Sequence, residues 1–194
     1  MKKLLITGFE PFGGEKINPA WEAVKALPDI VCEYTLYKKE IPVLYGEAAE
    51  TVLEAASEIR PDVILCVGQA GGREAVTPER IAVNIQDAGI PDNAGNRRSG
   101  QRIAQAGPAA YFATVPVERM AAAIGLAGLP GRVSNSAGAF VCNDTLYTLL
   151  RRYDGTGVQV GFLHVPYFPE QGSPSLPLPD TVRALEAAIS ALDE

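Results

Sequence analysis

The chain has 194 residues, of which 47% are hydrophobic and 21% charged, and its net charge is −6. This length suits a single domain over residues 1–194, and the apolar content excludes a largely disordered chain. Because no cluster of lysine and arginine is larger than a pair, we expect neither nucleic acids nor anionic membrane surfaces as partners. A single histidine, His164, excludes a metal centre built from several histidines, so any imidazole chemistry must use this residue.

The sequence carries no pattern that predicts export or membrane insertion. Residues 4–6 form a run of only three apolar side chains, whereas a signal peptide needs roughly 7–15. The apolar stretch at residues 120–129 contains two glycines and is shorter than the ~20 residues that span a bilayer. The three cysteines are widely separated, which favours neither a disulfide framework nor a zinc site. We therefore expect a cytoplasmic protein whose cysteines are free thiols.

Strand-like and helical patterns alternate along the chain. The predicted strands cover residues 3–7, 32–43 (as one or two strands), 63–67, 81–85, 111–115, 132–135 and 159–164. One predicted helix begins at Asn18-Pro19, and the others cover residues 45–59, 117–127, 142–153 and 180–192. The alternation predicts an α/β sandwich with a largely parallel central sheet. In such folds, ligand sites lie in loops beyond the carboxyl ends of the strands.

Two glycine-rich loops follow predicted strands, but neither matches a nucleotide-binding motif. The loop at residues 8–14 has the glycine spacing of a P-loop but lacks the Lys-Ser/Thr pair that should follow. The loop at residues 68–72 does not match the dinucleotide fingerprint. Tight strand-to-helix turns explain the glycines equally well. Phe9 and Phe12, however, are poorly placed for a core element, and they are candidates for the walls of a small apolar pocket.

Cys142 and His164 occupy positions that suit nucleophilic catalysis. Cys142 begins a predicted helix, where unpaired N–H groups and the helix dipole stabilise a thiolate and an oxyanion. His164 ends a predicted parallel strand on the same edge of the sheet. The alternative is that both are ordinary structural residues, as Cys66 in mid-strand and Cys32 in another predicted strand are taken to be. Glu79, similarly, is by default a surface charge or the partner of an arginine.

Taken together, the motifs resemble those of the pyroglutamyl peptidase I family of cysteine peptidases, and the match covers nearly the whole chain. The segments that carry the resemblance are Thr7-Gly8-Phe9-Glu10-Pro11-Phe12-Gly13-Gly14, Asn18-Pro19-Ala20-Trp21-Glu22, Val67-Gly68-Gln69-Ala70-Gly71-Gly72-Arg73, Thr77-Pro78-Glu79-Arg80, Ile90-Pro91-Asp92-Asn93, Ser136-Ala137-Gly138-Ala139-Phe140-Val141-Cys142-Asn143, His164-Val165-Pro166-Tyr167 and Pro169-Glu170-Gln171. Several segments in the right order are far more specific than any one of them.

The resemblance implies a catalytic triad of Cys142 as nucleophile, His164 as base and then acid, and Glu79 as the group that orients His164. It implies a substrate pocket formed by Phe9, Phe12, Gln69, Ile90, Phe140 and Val141. It also implies a twisted three-layer α/β/α sandwich, commonly a homotetramer, that uses no metal or organic cofactor. The expected substrates are peptides with an N-terminal pyroglutamate (5-oxoproline), a neutral lactam that two phenylalanine rings can sandwich.

The chain departs from the family pattern at two places. Gly89 stands where the family often has an arginine, and residues 172–179 form a short loop before the last helix. Both departures concern the pocket and the subunit contacts rather than the triad. Two other classes of protein stay open at this stage: a lactam-binding protein without activity, and a hydrolase or phosphorylase on a similar scaffold that does not use Cys142.

Overall fold

A computed structural model describes residues 1–193 as one six-stranded sheet, one two-stranded sheet and five helices. The strands are β1 (Lys2–Phe9), β2 (Ile30–Val31), β3 (Tyr34–Ile41), β4 (Val63–Gln69), β5 (Thr77–Pro78), β6 (Ile81–Val83), β7 (Ala110–Phe112) and β8 (Gln159–Val165). The helices are α1 (Pro19–Ala26), α2 (Glu47–Ile59), α3 (Val117–Leu126), α4 (Val141–Tyr153) and α5 (Leu178–Ser190). None of these helices is long and apolar enough to cross a bilayer.

The larger sheet has the strand order β2-β3-β1-β4-β8-β5. Its four inner strands run parallel, and the short edge strands β2 and β5 are antiparallel to their neighbours. The apolar runs of β1, β4 and β8 are buried almost throughout, as expected for strands covered on both faces. The largely parallel sheet predicted from the alternating pattern is confirmed.

Helices cover both faces of the sheet, which gives three layers. One core contains α1, α3 and α5 packed on side chains such as Leu4, Ile6 and Leu65. The other contains α2 and α4 packed on the alternate side chains, such as Leu5 and Cys66. The division follows from strand geometry, because successive side chains point to opposite faces. Helix α4 and the side chains of β4 and β8 that face it hold the candidate site.

The strand predicted at residues 132–135 is wrong, because this segment makes only isolated bridges at Gly131 and Ser134. Its backbone runs parallel to residues 76–80 and forms hydrogen bonds on both sides of Pro78. A continuous ladder between the two bridges would need a hydrogen bond donated by the backbone N–H of residue 78, and proline has no such N–H. The strands predicted at 81–85 and 111–115 are shorter than expected and form the separate sheet β6–β7.

Candidate active site

The imidazole of His164 and the carboxylate of Glu79 meet at the edge of the main sheet. His164 pairs with Thr77 where β5 joins β8, and Glu79 follows β5 immediately. His164 Nδ1 lies 2.7 Å from Glu79 Oε1, and both side chains are buried. The Glu79 N–H donates to Phe162 O, which continues the pairing beyond the strand and fixes where the carboxylate points. A buried carboxylate in this position holds the imidazole in one orientation and one tautomer.

Cys142 is the second residue of α4, and its thiol approaches the sheet beside His164. A Cβ on Gly68 would lie 3.0 Å from Cys142 Sγ and 2.9 Å from the Phe162 ring. Gly68 is the register partner of His164 in the parallel pair β4–β8, so both residues face α4 from neighbouring strands. Glycine therefore leaves the space that the thiol occupies. The described residues contain no hydrogen bond between Cys142 and His164, a contact that often tightens only when substrate binds.

Burial dominates the ionisation of the thiol. It raises the pKa of Cys142 to about 12, and the negative charge of Glu79 adds to the shift. The backbone N–H at the helix start and the Arg73 guanidinium act in the opposite direction but do not compensate. Burial also lowers the pKa of His164, against the raising effect of Glu79. These shifts favour a neutral thiol and a neutral imidazole, because burial outweighs the stabilisation of a thiolate that the helix N-terminus supplies.

Glu79 stays ionised although it is buried. Burial by itself raises its pKa, but the hydrogen bond and charge of His164 outweigh this, and Ser134 and Arg73 help to lower the pKa below its ordinary value. The Ser134 hydroxyl donates to Ser136 O in the structure. Glu79 Oε2 has no hydrogen-bond partner among the described residues. Because the carboxylate is charged, His164 must carry its proton on Nδ1 and present Nε2 as the acceptor.

A small apolar cavity of about 40 Å³ opens beside the thiol. Its lining residues are Phe9, Phe12, Asn18, Val43, Gln69, Phe140, Val141 and Cys142. The rings of Phe12 and Phe140 are tilted by 42° to each other, with centroids 6.2 Å apart. The structure thus brings together every predicted pocket residue except Ile90, which is 49% exposed and does not line the cavity. Ile90 follows Gly89 in the long loop between β6 and β7.

Asn18 and Val43 line the cavity but were not singled out from the sequence. The signal for Asn18 was interpreted only as a helix cap, and the structure shows that cap: its Oδ1 accepts the Ala20 N–H. Its Nδ2 donates to Glu10 O. Because an amide carries two N–H donors, one remains to face the cavity. Val43 lies just after β3, and the alternating pattern of this segment does not distinguish Val43 from an ordinary core residue.

No group of three or more His, Cys, Asp and Glu side chains within residues 1–193 is arranged to hold a metal ion. A partly buried thiol at a helix start, an imidazole paired with an ionised carboxylate and an apolar cavity beside them form the arrangement of a cysteine-dependent hydrolase on an α/β/α scaffold.

Comparisons with known proteins specify the family. The model of the family described as pyroglutamyl peptidase matches residues 2–194. The pyrrolidone-carboxylate peptidase of Levilactobacillus brevis is 54% identical over 98% of this chain and 97% of its own length. That of Lactobacillus johnsonii is 47% identical over 99% and 93%. The crystal structure of Bacillus amyloliquefaciens pyroglutamyl peptidase I superimposes with a TM-score of 0.95 at 42% identity, covering 99% of this chain and 97% of that chain. The chain therefore belongs to the pyroglutamyl peptidase family, which is a family of cysteine-type hydrolases.

Proposed function

We propose that this enzyme hydrolyses the amide bond after an N-terminal pyroglutamyl residue and releases 5-oxoproline and the shortened peptide. The observation that carries the proposal is the uncharged cavity directly beside the Cys142 thiol. An ordinary aminopeptidase binds a charged α-amine with carboxylates or metals, and none of the residues that line this cavity is charged. A cationic N-terminus would lose its hydration there without gaining a counter-ion, whereas a neutral lactam would not.

The lining residues suit a flat ring with polar groups along one edge. Phe12 and Phe140 offer aromatic faces, and Phe9 backs the cavity through its contact with Phe162. The amides of Asn18 and Gln69 supply donors for the lactam carbonyl. A few directed polar groups in an apolar cavity give such a site both its affinity and its selectivity. The small size of the cavity favours a single five-membered ring over a larger side chain.

The proposed reaction has two half-reactions with a thioester between them. His164 Nε2 takes the thiol proton as Cys142 Sγ attacks the pyroglutamyl carbonyl carbon, and His164 then gives that proton to the departing amine. Water next loses a proton to His164 and attacks the thioester carbon. The C–S bond breaks, and the proton returns to Sγ. Glu79 accepts the Nδ1–H bond throughout and stabilises the imidazolium as it forms.

The N–H groups of the first turn of α4 are the donors available for the oxyanion. The first N–H groups of a helix have no intrahelical acceptor, and the helix dipole places partial positive charge there. Cys142 lies in this turn, so an oxyanion formed on the attacked carbonyl is close to these donors.

The test is release of 5-oxoproline from a pyroglutamyl peptide, with the matched peptide that carries a free N-terminal amine as the comparison substrate. We expect selective release by the native enzyme and none by the Cys142→Ala variant. Cys32→Ser is the matched control, because Cys32 is exposed and lies outside the site; it should keep full activity. Activity in folded Cys142→Ala would remove the thiol from the mechanism, and binding of the lactam without turnover would show a binding protein.

We further propose that the enzyme works in the cytoplasm as a homotetramer. The free state of all three cysteines suits a reducing compartment. The exposed apolar side chains of Phe112 and Leu126 supply surface for subunit contacts. Sedimentation equilibrium at micromolar concentration gives the mass of the assembly directly, and a monomeric mass of 20.6 kDa would contradict the tetramer.

A further inference from the structure

Arg73 connects three segments around the triad carboxylate. It lies in the loop after β4, and its side chain is 26% exposed. Its Nη1 donates to Glu79 Oε1 and to Thr77 Oγ1, each at 2.5 Å, and its Nη2 donates to Ser136 O at 3.0 Å. All three acceptors are therefore held by one guanidinium, whose fixed fork of donors makes the arrangement rigid.

The same carboxylate oxygen, Glu79 Oε1, accepts from both Arg73 and His164. Arg73 is therefore in direct contact with the Glu79–His164 pair on which the proposed mechanism depends. Ser136, in turn, lies in the loop that leads into α4 and carries the chain to Cys142. One side chain thus links the carboxylate that orients the base to the segment that positions the nucleophile.

We propose that Arg73 is a positioning residue for the proposed peptidase reaction. It fixes the Glu79 carboxylate towards His164, joins it to the loop before Cys142, and neutralises its charge at the thiol. The inference rests on the proposed function, since it assigns a role within the same triad. Arg73 is not placed to touch the substrate, because it does not line the cavity.

The charge of Arg73 has a defined effect on the base. The titratable groups around His164 are Glu79 after β5, Arg73, and the buried thiols of Cys142 on α4 and Cys66 on β4. Glu79 favours the imidazolium and Arg73 opposes it. Without the guanidinium its opposing charge is lost, which raises the pKa of His164 as long as the Glu79–His164 hydrogen bond persists, and makes the thiolate harder to form. An arginine whose charge did not act on the His164–Glu79 pair would leave the titration of His164 unchanged.

His164 is the single histidine of the chain, so its imidazole resonances can be followed by NMR without an assignment problem. The titration is measured in Cys142→Ala alone and in that background with Arg73→Gln, Arg73→Lys or Arg80→Gln. We expect Arg73→Gln to shift the His164 titration to higher pH, and Arg73→Lys, which keeps the charge, to leave it nearly unchanged. Arg80→Gln is the matched control, because that guanidinium pairs with the exposed Glu118 instead.

In enzyme that retains Cys142, Arg73→Gln should lower kcat/KM about tenfold, which corresponds to losing one hydrogen bond to a charged group. The acidic limb of its pH profile should also move to higher pH, with Arg73→Lys intermediate in rate but not shifted. An unshifted His164 titration in Arg73→Gln, or an equal shift in Arg73→Lys, overturns the inference. If Arg73→Gln does not fold, Arg73→Lys becomes the test. A shifted His164 pKa in that variant, which keeps the positive charge, would contradict a role for the charge of Arg73. Failure of the native enzyme to release 5-oxoproline would overturn the proposed function alone, since the NMR titration does not depend on turnover.

Discussion

At the scale of single residues, the Cys142 thiol differs most from what its position in the sequence suggests. A helix N-terminus ordinarily lowers a thiol pKa, because its N–H groups and dipole favour the anion. Here the residue is partly buried, and the loss of hydration raises the pKa of its thiol to about 12. Both shifts favour the neutral thiol and the neutral imidazole, so under the proposed mechanism the proton leaves the thiol during attack.

The pH dependence of alkylation tests this directly. In a Cys32→Ser background, the rate constant for reaction of Cys142 with iodoacetamide should keep rising with pH beyond pH 9, because the reactive thiolate fraction keeps growing. Tryptic mass spectrometry identifies the modified cysteine, and Cys142→Ala supplies the blank. A rate that levels off below pH 7 would show a preformed thiolate and contradict the neutral resting pair.

The sequence allowed part of the site to be predicted. Family motifs placed Phe12, Gln69 and Phe140 in the pocket, and these residues do line the cavity. Local patterns alone left Glu79 as a surface charge, because nothing in its neighbourhood shows that β5 turns it inward. Ile90 was assigned to the pocket, yet it lies exposed in a long loop whose path depends on distant contacts. Such contacts leave no periodic signal in the sequence.

At the scale of elements, the position of α4 on the sheet depends on one missing side chain. Gly68 on β4 gives the thiol its place next to β8. In Gly68→Ala, the added Cβ would meet Cys142 Sγ at 3.0 Å and the Phe162 ring at 2.9 Å, so α4 or the ring must move. Since catalysis depends on sub-ångström placement, we expect kcat to fall about 10²-fold with a smaller change in KM.

Steady-state kinetics with a chromogenic pyroglutamyl amide measures both constants. Gly125→Ala is the matched control: an alanine Cβ in α3 meets nothing within 4 Å, so activity should not change. Alanine should also stabilise that helix by about 0.5–1 kcal/mol. Normal kcat in Gly68→Ala would mean that the thiol does not need the space this glycine leaves.

Most elements could be predicted because their sequences are consistent with their positions. The apolar runs of β1 and β4 are readable as strands covered on both faces, and α2 shows its buried side clearly as alanines and Val52. The prediction of a strand at residues 132–135 is wrong because of the segment that lies opposite, where Pro78 interrupts the hydrogen-bond ladder. A local pattern cannot show what the partner segment lacks.

At the scale of the whole molecule, the buried titratable groups set a window of maximal stability. The pKa of His164 is lowered in the native protein. Below about pH 6.5, the unfolded chain therefore binds a proton that the native protein does not bind, and the free energy of unfolding falls as the pH decreases. The pKa of Cys66 and of Cys142 is raised to about 12. Above ~8.5 the unfolded thiols ionise while the native ones do not, so stability falls as the pH rises.

Urea unfolding between pH 5 and 10 should therefore give the largest free energy of unfolding between about pH 6.5 and 8.5. Above that range, the free energy of unfolding should fall less steeply with pH in Cys66→Ala, by up to about 1.4 kcal/mol per pH unit. This is the slope expected for a difference of one bound proton between the native and unfolded states. The slope is diagnostic, because the cavity left by the substitution lowers stability equally at every pH. An unchanged alkaline slope would show that Cys66 ionises in the native protein as it does in the unfolded chain.

The pairing of β5 with β8 determines when the candidate active site can assemble during synthesis and refolding. It joins residues 77–78 to 163–164, so His164 and Glu79 meet only after the chain has been made as far as β8. A nascent chain can complete β1, β3 and β4 during synthesis, yet it lacks an imidazole altogether until its last parallel strand has been made. Hydrolysis by the proposed mechanism therefore requires β8 to be paired with β5, and recovery of activity during refolding should report this long-range contact rather than the formation of β1, β3 and β4.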